Sequence, residues 1–323
     1  MYKFSGLLNL SLILIISVLL FASCGKLGLK NTDSGTTGSS ENDQTSCIEF
    51  SGPEITGVVE SNLINEASGL AASRKNSGVL WTHNDSGDSP RIFAMNINGA
   101  HLVVLNLQNA ENYDWEDIAV GPGPVEGEQY LYIGDIGDNS SVRSSISVYR
   151  FQEPLVDQNQ PAVTMDITNV DQLIMQYPDN QAYDAETLLL DPVSGDILIV
   201  TKNKSGDSKV FRNPSPHAAD TLVTLVEAAA IGLGSSVLYS ITGGDISADG
   251  EMIILRSYSN AVILNRDLSA ELGNAFSGVK CYIPVNESLF QQGEAIAFDP
   301  DGYGYTTVIE GSNPSLKHYS VIN

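Results

Sequence analysis

One short pattern returns five times along this chain, as Ser68-Gly69-Leu70-Ala71, Glu116-Asp117-Ile118-Ala119, Glu186-Thr187-Leu188-Leu189, Gly244-Asp245-Ile246-Ser247 and Glu294-Ala295-Ile296-Ala297. The successive offsets are 48, 70, 58 and 50 residues. Each opening segment leads into a turn rich in Gly, Pro and Asp, such as Asp191-Pro192-Val193-Ser194-Gly195-Asp196 or Asp299-Pro300-Asp301-Gly302. Those residue types accept turn dihedrals at low cost. A second apolar run follows, for example Val79-Leu80-Trp81-Thr82 or Ile197-Leu198-Ile199-Val200, then a third such as Arg91-Ile92-Phe93-Ala94, then a more variable fourth such as Leu102-Val103-Val104-Leu105.

Short β-branched and aromatic runs between turn signals, with no long helical periodicity among them, read as strands. Four-strand units repeated in series at this length are the mark of propeller blades. A β-sandwich has no reason to repeat its opening segment five times. The expected fold is therefore all-β, a single β-propeller of five four-stranded blades over residues 47–323, with a sixth open if the 70-residue offset hides a degenerate blade. The last unit stops after its third strand at Leu316-Lys317-His318-Tyr319-Ser320-Val321. Its missing strand is expected from the N-terminal segment, either Ile48-Glu49-Phe50 or Ile55-Thr56-Gly57-Val58-Val59, which would close the ring.

The first residues carry one positive charge, Lys3, followed by an apolar run from Leu7 to Ala22. That run is shorter than the ~20 apolar residues a membrane span needs, and it has the shape of a signal peptide. It ends on Leu20-Phe21-Ala22-Ser23-Cys24, where small residues before a cysteine suit the peptidase of lipid-modified precursors. Residues 1–23 read as the leader and Cys24 as the lipidated N-terminus, with Phe21 standing where Leu is usual. Gly25, rather than an aspartate, follows Cys24, which by resemblance to Gram-negative lipoproteins implies the outer membrane. Residues 24–46 are mostly Ser, Thr, Gly, Asn, Asp and Gln and cannot bury enough surface to order themselves. They read as a tether with an end-to-end distance of roughly 25 Å.

The chain holds 39 acidic against 16 basic residues, a formal net charge of −23. Such a surface is a poor partner for nucleic acid or anionic lipid and favours cations or neutral ligands, the alternative being that the charge serves solubility alone. Removing Cys24 from the count leaves Cys47 and Cys281, which an oxidising compartment would allow to pair.

The stretch Glu66-Ala67-Ser68-Gly69-Leu70 through Trp81-Thr82-His83-Asn84-Asp85, then Asp114-Trp115-Glu116-Asp117-Ile118 and Gly134-Asp135-Ile136-Gly137-Asp138, resembles a group of secreted bacterial β-propeller lipoproteins. More distantly the pattern is similar to NHL-type propellers, to calcium-dependent phosphotriesterase-like propellers and to β-propeller phytases. The close resemblance implies a fold and no particular activity. The distant ones imply calcium and a lactonase or phosphatase chemistry, on folds that are mostly six-bladed.

A second marked position stands two residues before each opening segment. The entrances read Glu66-x-Ser68, Asp114-x-Glu116, Asp184-x-Glu186, Thr242-x-Gly244 and Gln292-x-Glu294, with Asp245 standing in for the acid missing from the fourth. Residues two apart on a strand share a side, and the opening strand of a blade lines the central channel. These groups are thus expected to ring one mouth of it. The turns after the second strands, with Asp85, Asp88, Asp135 and Asp138, belong to the same face. Crowded carboxylates repel unless a cation neutralises them or some are protonated, and such oxygen-rich clusters suit calcium. The alternative is that the entrance acids cap backbone amides between blades and that the turn acids serve the turns.

His83, Lys202 and Arg256 fall near this rim, where they would bind an anionic group beside a metal, or where His83 would act as a general acid or base. Trp81 and Trp115 read as packing residues. The chain has no His-Glu-x-x-His motif, nucleophile elbow or phosphate loop. Three functions remain open: a monomeric, envelope-anchored module binding a small molecule or an envelope protein through a calcium-loaded mouth, a calcium-dependent phosphoesterase or lactonase, and a structural envelope protein.

Overall fold

The computed structural model describes residues 47–204, 206–287 and 293–322, so the leader, Cys24, the tether and Gln292 lie outside the described residues. The chain opens with β1 (Glu54–Val58) and then lays down five antiparallel meanders. Blade one is β2 (Ala67–Ala72), β3 (Val79–Asn84), β4 (Arg91–Asn96) and β5 (His101–Leu107). Blade two is β6 (Trp115–Pro122), β7 (Gln129–Asp135), β8 (Ile146–Gln152) and, after β9 (Val163–Ile167), β10 (Asp171–Gln176). Blade three is β11 (Ala185–Leu190), β12 (Ile197–Thr201), β13 (Ser208–Asn213) and, after β14 (Leu222–Thr224), β15 (Val226–Ile231). Blade four is β16 (Ile241–Ile246), β17 (Met252–Ser257), β18 (Ala261–Asn265) and β19 (Lys280–Ile283). Blade five is β20 (Gly293–Phe298), β21 (Gly304–Ile309) and β22 (Ser315–Ser320), completed by β1.

The ring therefore has five blades, and the long second offset holds no sixth. Its extra length is β9, which crosses back to pair in parallel with β5 of blade one, from Val103↔Val163 to Leu107↔Ile167. β14 does the same on β10 of blade two. Both insertions lengthen the outer edge of the preceding blade instead of adding a blade of their own.

Apolar layers explain the ring. Leu188 and Leu189, neighbours on β11, point to opposite faces of blade three, and both are fully buried. Leu188 shares an apolar layer with Tyr132 and Met175 of blade two, whereas Leu189 shares one with Ile246 and Leu255 of blade four. Equivalent layers fill the other three gaps, around Trp81 and Leu131, around Leu70 and Val308, and around Ile263 and Tyr305. A blade with two apolar faces needs a neighbour on each, and only closure supplies both. The five first strands, β2, β6, β11, β16 and β20, meet one another around the centre.

Closure uses both N-terminal segments. β1 runs antiparallel to β22, Glu54↔His318 to Val58↔Ser315, and Phe50 bridges Val321. Cys47 is disulfide-bonded to Cys281 on β19, with Cα atoms 5.4 Å apart, so the first described residue is fastened to blade four. Val321 lies beyond Ser320, the partner of Gly304 at the far end of β21 from Ile309 and Gly293. The N-terminal segment thus joins the ring at its base, away from the end where the innermost strands begin.

Candidate functional site

Every innermost strand breaks register with its neighbour at the same point. The shifts fall between Ala67 and Leu70, Trp115 and Asp117, Ala185 and Thr187, Ile241 and Gly243, and Gly293 and Ala295. An extra residue in a strand re-aims its own side chain. The extra residues are Ser68 with Gly69, Glu116, Glu186, Thr242 and Glu294. In two blades the position holds a hydroxyl that binds the next blade: Ser68 Oγ donates to the Glu116 carbonyl at 2.7 Å and Thr242 Oγ1 to the Gly293 carbonyl at 3.1 Å. In the other three it holds a buried glutamate.

The glutamates meet the two entrance aspartates and a turn aspartate. Oxygens of Asp85, Asp114 and Glu116 lie within 4.8 Å of one another, as do those of Glu116, Asp184 and Glu186. Glu116 belongs to both groups. Glu294 stands on the far side, with Oε2 3.4 Å from Ser68 Oγ and Oε1 accepting from the Tyr258 hydroxyl at 3.4 Å. Glu66 is exposed at the rim.

A second tier comes from the residue after each second strand, which is Asp85, Lys202, Tyr258 and Glu310 in blades one, three, four and five. In blade two Ile136 turns into the core, and Gly137 takes the place instead. Backbone bonds show the equivalence: Asp85 N–H donates to the Glu66 carbonyl at 2.9 Å, Gly137 to Asp114 at 3.1 Å and Lys202 to Asp184 at 2.9 Å. Lys202 Nζ pairs with Glu186 Oε1 and lies 5.3 Å from the Tyr258 ring centre. Tyr258, Glu310 and Gly137 were not foreseen from sequence. Reading the residue after each second strand in register was the signal that would have found them.

Burial and mutual repulsion disfavour charge here. Burial, then Asp85 and Asp184, pushes the Asp114 carboxyl up to about 6. Burial above all, then Asp85, Asp114 and Glu294, raises Glu116 well above the usual glutamate range. Burial raises Glu294 as well, and burial with the charge of Glu294 pushes Glu310 up to about 8.

Several residues expected in this ring lie elsewhere. Asp245 falls three places after Thr242, the true bulge residue of blade four, so the Gly244 alignment was two residues out of register. Its oxygens accept from the Ile246 and Phe298 amides at 2.8 and 3.0 Å, and it shares a recess with Arg74 at the base of the channel. Asp245 is thus one of the amide-capping carboxylates, as is Asp117, which accepts from Ile118 and Leu188. Arg256 is wholly buried rather than at the edge, where it pairs with Glu287 and donates to the Ala295 carbonyl at 2.9 Å. His83 is also wholly buried, packed edge-on to Trp115 with Nδ1 2.9 Å from the Asn84 carbonyl oxygen. Burial lowers its pKa, and it has no access to a ligand at the mouth.

The remaining turn acids are engaged locally. Asp88 is held by Arg91, Asp135 by Arg143 at 2.9 Å, and Asp138 accepts from the Arg143 amide at 2.7 Å. Of the four turn acids only Asp85 joins the cluster. The two tryptophans are buried in the layer between blades one and two.

Fold and site together define a five-bladed β-propeller with an acidic cluster, able to hold a metal ion, at one mouth of its channel. No protein-family model matches the chain, and no curated protein matches it in sequence. Among solved structures it is similar to the crystal structure of Chaetomium thermophilum Raptor, at 12% identity and a TM-score of 0.45. The match covers 86% of this chain and 30% of that one.

Proposed function

We propose that this protein is an exported, lipid-anchored binding module that holds a calcium ion at the channel mouth and uses the ion's open positions to bind an oxygen-rich ligand or envelope partner. One observation carries the reading. Glu186, only 3% exposed, has an oxygen with no hydrogen-bond partner among the described residues, and it sits in a carboxylate group shared through Glu116 with a second. An unpaired buried carboxylate oxygen is costly, and a cation relieves both that cost and the repulsion around it. The donors are all carboxylate oxygens, with no imidazole or thiolate among them, which suits calcium or magnesium better than zinc or copper.

The anchor rests on the leader ending at Cys24. The first described residues join the ring at its base, on the face opposite the mouth. A hydrolase is the weaker reading, since of the groups expected to do acid, base or anion-binding work His83 and Arg256 are wholly buried, and Lys202, which does reach the cluster, is paired with Glu186.

Thermal melts of purified, metal-depleted protein test the reading. Millimolar calcium should raise Tm through its preferential binding to the folded state, and Glu116→Gln with Glu186→Gln should remove that response. A wild-type Tm indifferent to calcium and magnesium would reject it.

A further inference from the structure

Oxygens of Glu116, Asp184 and Glu186 lie within 4.8 Å of one another. Two oxygens on opposite sides of one calcium ion, each about 2.4 Å from it, are no closer together than that. Asp184 uses one oxygen on the Asp138 amide at 3.0 Å. Glu186 gives Oε1 to the Lys202 ammonium, while its Oε2 is buried with no partner among the described residues. Three carboxylates thus share a single tethered unit charge. Lys202 is not locked in place: among the described residues Glu186 is the one acceptor its ammonium has. Its side chain also lines a recess of about 260 Å³ at the mouth between blades two and three, together with Tyr183, Asp184 and Asp207. That recess gives an ion a way in to Asp184 and gives the lysine side chain space to swing out.

We propose that calcium and Lys202 compete for this place: the ion takes Glu116, Asp184 and Glu186, and the ammonium leaves Glu186 for the recess, where solvent reaches it. The proposal rests on the cation-binding reading above and adds where the ion sits and what its arrival does to Lys202. A divalent ion and an ammonium a few ångströms apart in poorly hydrated surroundings repel strongly, so both cannot sit on Glu186. The ion has the stronger claim, because it draws on three carboxylates at once and serves the Glu186 oxygen that the lysine leaves without a partner. The lysine loses little by leaving, since its stem is flexible and its ammonium is strongly hydrated in water. Calcium binding therefore turns a hidden ammonium into an exposed one.

Amine acetylation read residue by residue tests this. Purified full-length protein, metal-depleted or saturated with calcium chloride, is treated with an acetylating reagent, and modification of Lys202 is measured by mass spectrometry against Lys280 on β19. Lys202 should be protected without calcium and react several-fold faster with it, while Lys280 stays unchanged. Glu186→Gln should expose Lys202 without calcium and bind no calcium in titration calorimetry. Lys202→Met, freed of its internal competitor, should bind calcium about tenfold or more tightly than the wild type. Calcium binding that leaves Lys202 protected would overturn the proposal, since the ion would then sit elsewhere, and so would Lys202→Met binding no tighter than the wild type. Acetylation of the wild type carries the test alone should the variants not fold. No calcium bound by any form would instead mark failure of the cation-binding reading, and the competition would fall with it.

Discussion

Ser68 on blade one and Glu116 on blade two are joined across their gap by a 2.7 Å hydrogen bond from the Ser68 hydroxyl to the Glu116 carbonyl. Thr242 makes the same bond from blade four to Gly293 of blade five. The bulge position thus has two uses. Where it holds a hydroxyl it fastens neighbouring blades, and where it holds a glutamate it supplies the cluster.

Thr242→Val keeps shape but strips the hydroxyl and leaves a buried carbonyl without its donor. It should lower stability by about 1–2 kcal/mol, read from urea denaturation midpoints. Calcium binding should be untouched, because Thr242 is in neither carboxylate group. A midpoint equal to the wild type's would deny the bond any fastening role.

The raised carboxyls set a pH dependence for the metal-free protein. Asp114 titrates at about 6 and Glu310 at about 8 in the folded chain, whereas unfolded Asp and Glu titrate near roughly 4. The folded state therefore holds more protons than the unfolded state between these values, so these groups lower stability as pH rises from about 4 to about 8. Tm in the presence of a chelator should be several degrees higher at pH 5 than at pH 8. Saturating calcium should shrink or reverse the difference, since the ion binds the deprotonated groups. A chelated Tm that climbs over this range would contradict the assignment.

The Cys47–Cys281 bond closes a loop of 234 residues in sequence. Cys281→Ser should cost about 2–4 kcal/mol through the freed unfolded chain. The loss should appear as a lower denaturation midpoint, matched by adding reductant to the wild type. Reductant that further destabilises the mutant would point to a different bond.

Processing at Cys24 predicts that labelled fatty acid enters the wild-type protein in cells, and that Cys24→Ala abolishes both labelling and membrane retention. Label persisting in the mutant would dispose of the lipid anchor.

Much of the architecture was legible because each blade repeats one local pattern. The opening segments, the turns after them and the unfinished last unit favoured five blades over six and closure by the N-terminal segment, and the pairing of β9 with β5 settled the count. The entrance acids were legible for the same reason, since Asp114, Glu116, Asp184, Glu186 and Glu294 recur in one register and a closed ring brings equal registers to equal radii. The fourth unit misled because Gly244-Asp245-Ile246 imitates Glu116-Asp117-Ile118 in letters. Its strand actually breaks register at Thr242, so Thr242, and not Asp245 three places further on, takes the position of the glutamates.

What the sequence by itself determined, then, is a ring of repeated four-stranded blades and the acidic character of one face, both consequences of local patterns repeated along the chain. What only the tertiary structure decided is which charges meet. His83, Lys202 and Arg256 look alike as basic residues near second-strand ends, yet Lys202 enters the cluster, Arg256 is buried against Glu287, and His83 is sealed beside Trp115. Gly137 stands where a Cβ would overlap the carboxylates of Asp114 and Glu116, a close approach that only the folded ring creates. The direction of a side chain depends on where each strand bulges and on what the neighbouring blade places opposite. Those are properties of the closed ring, and no single stretch of the chain contains them.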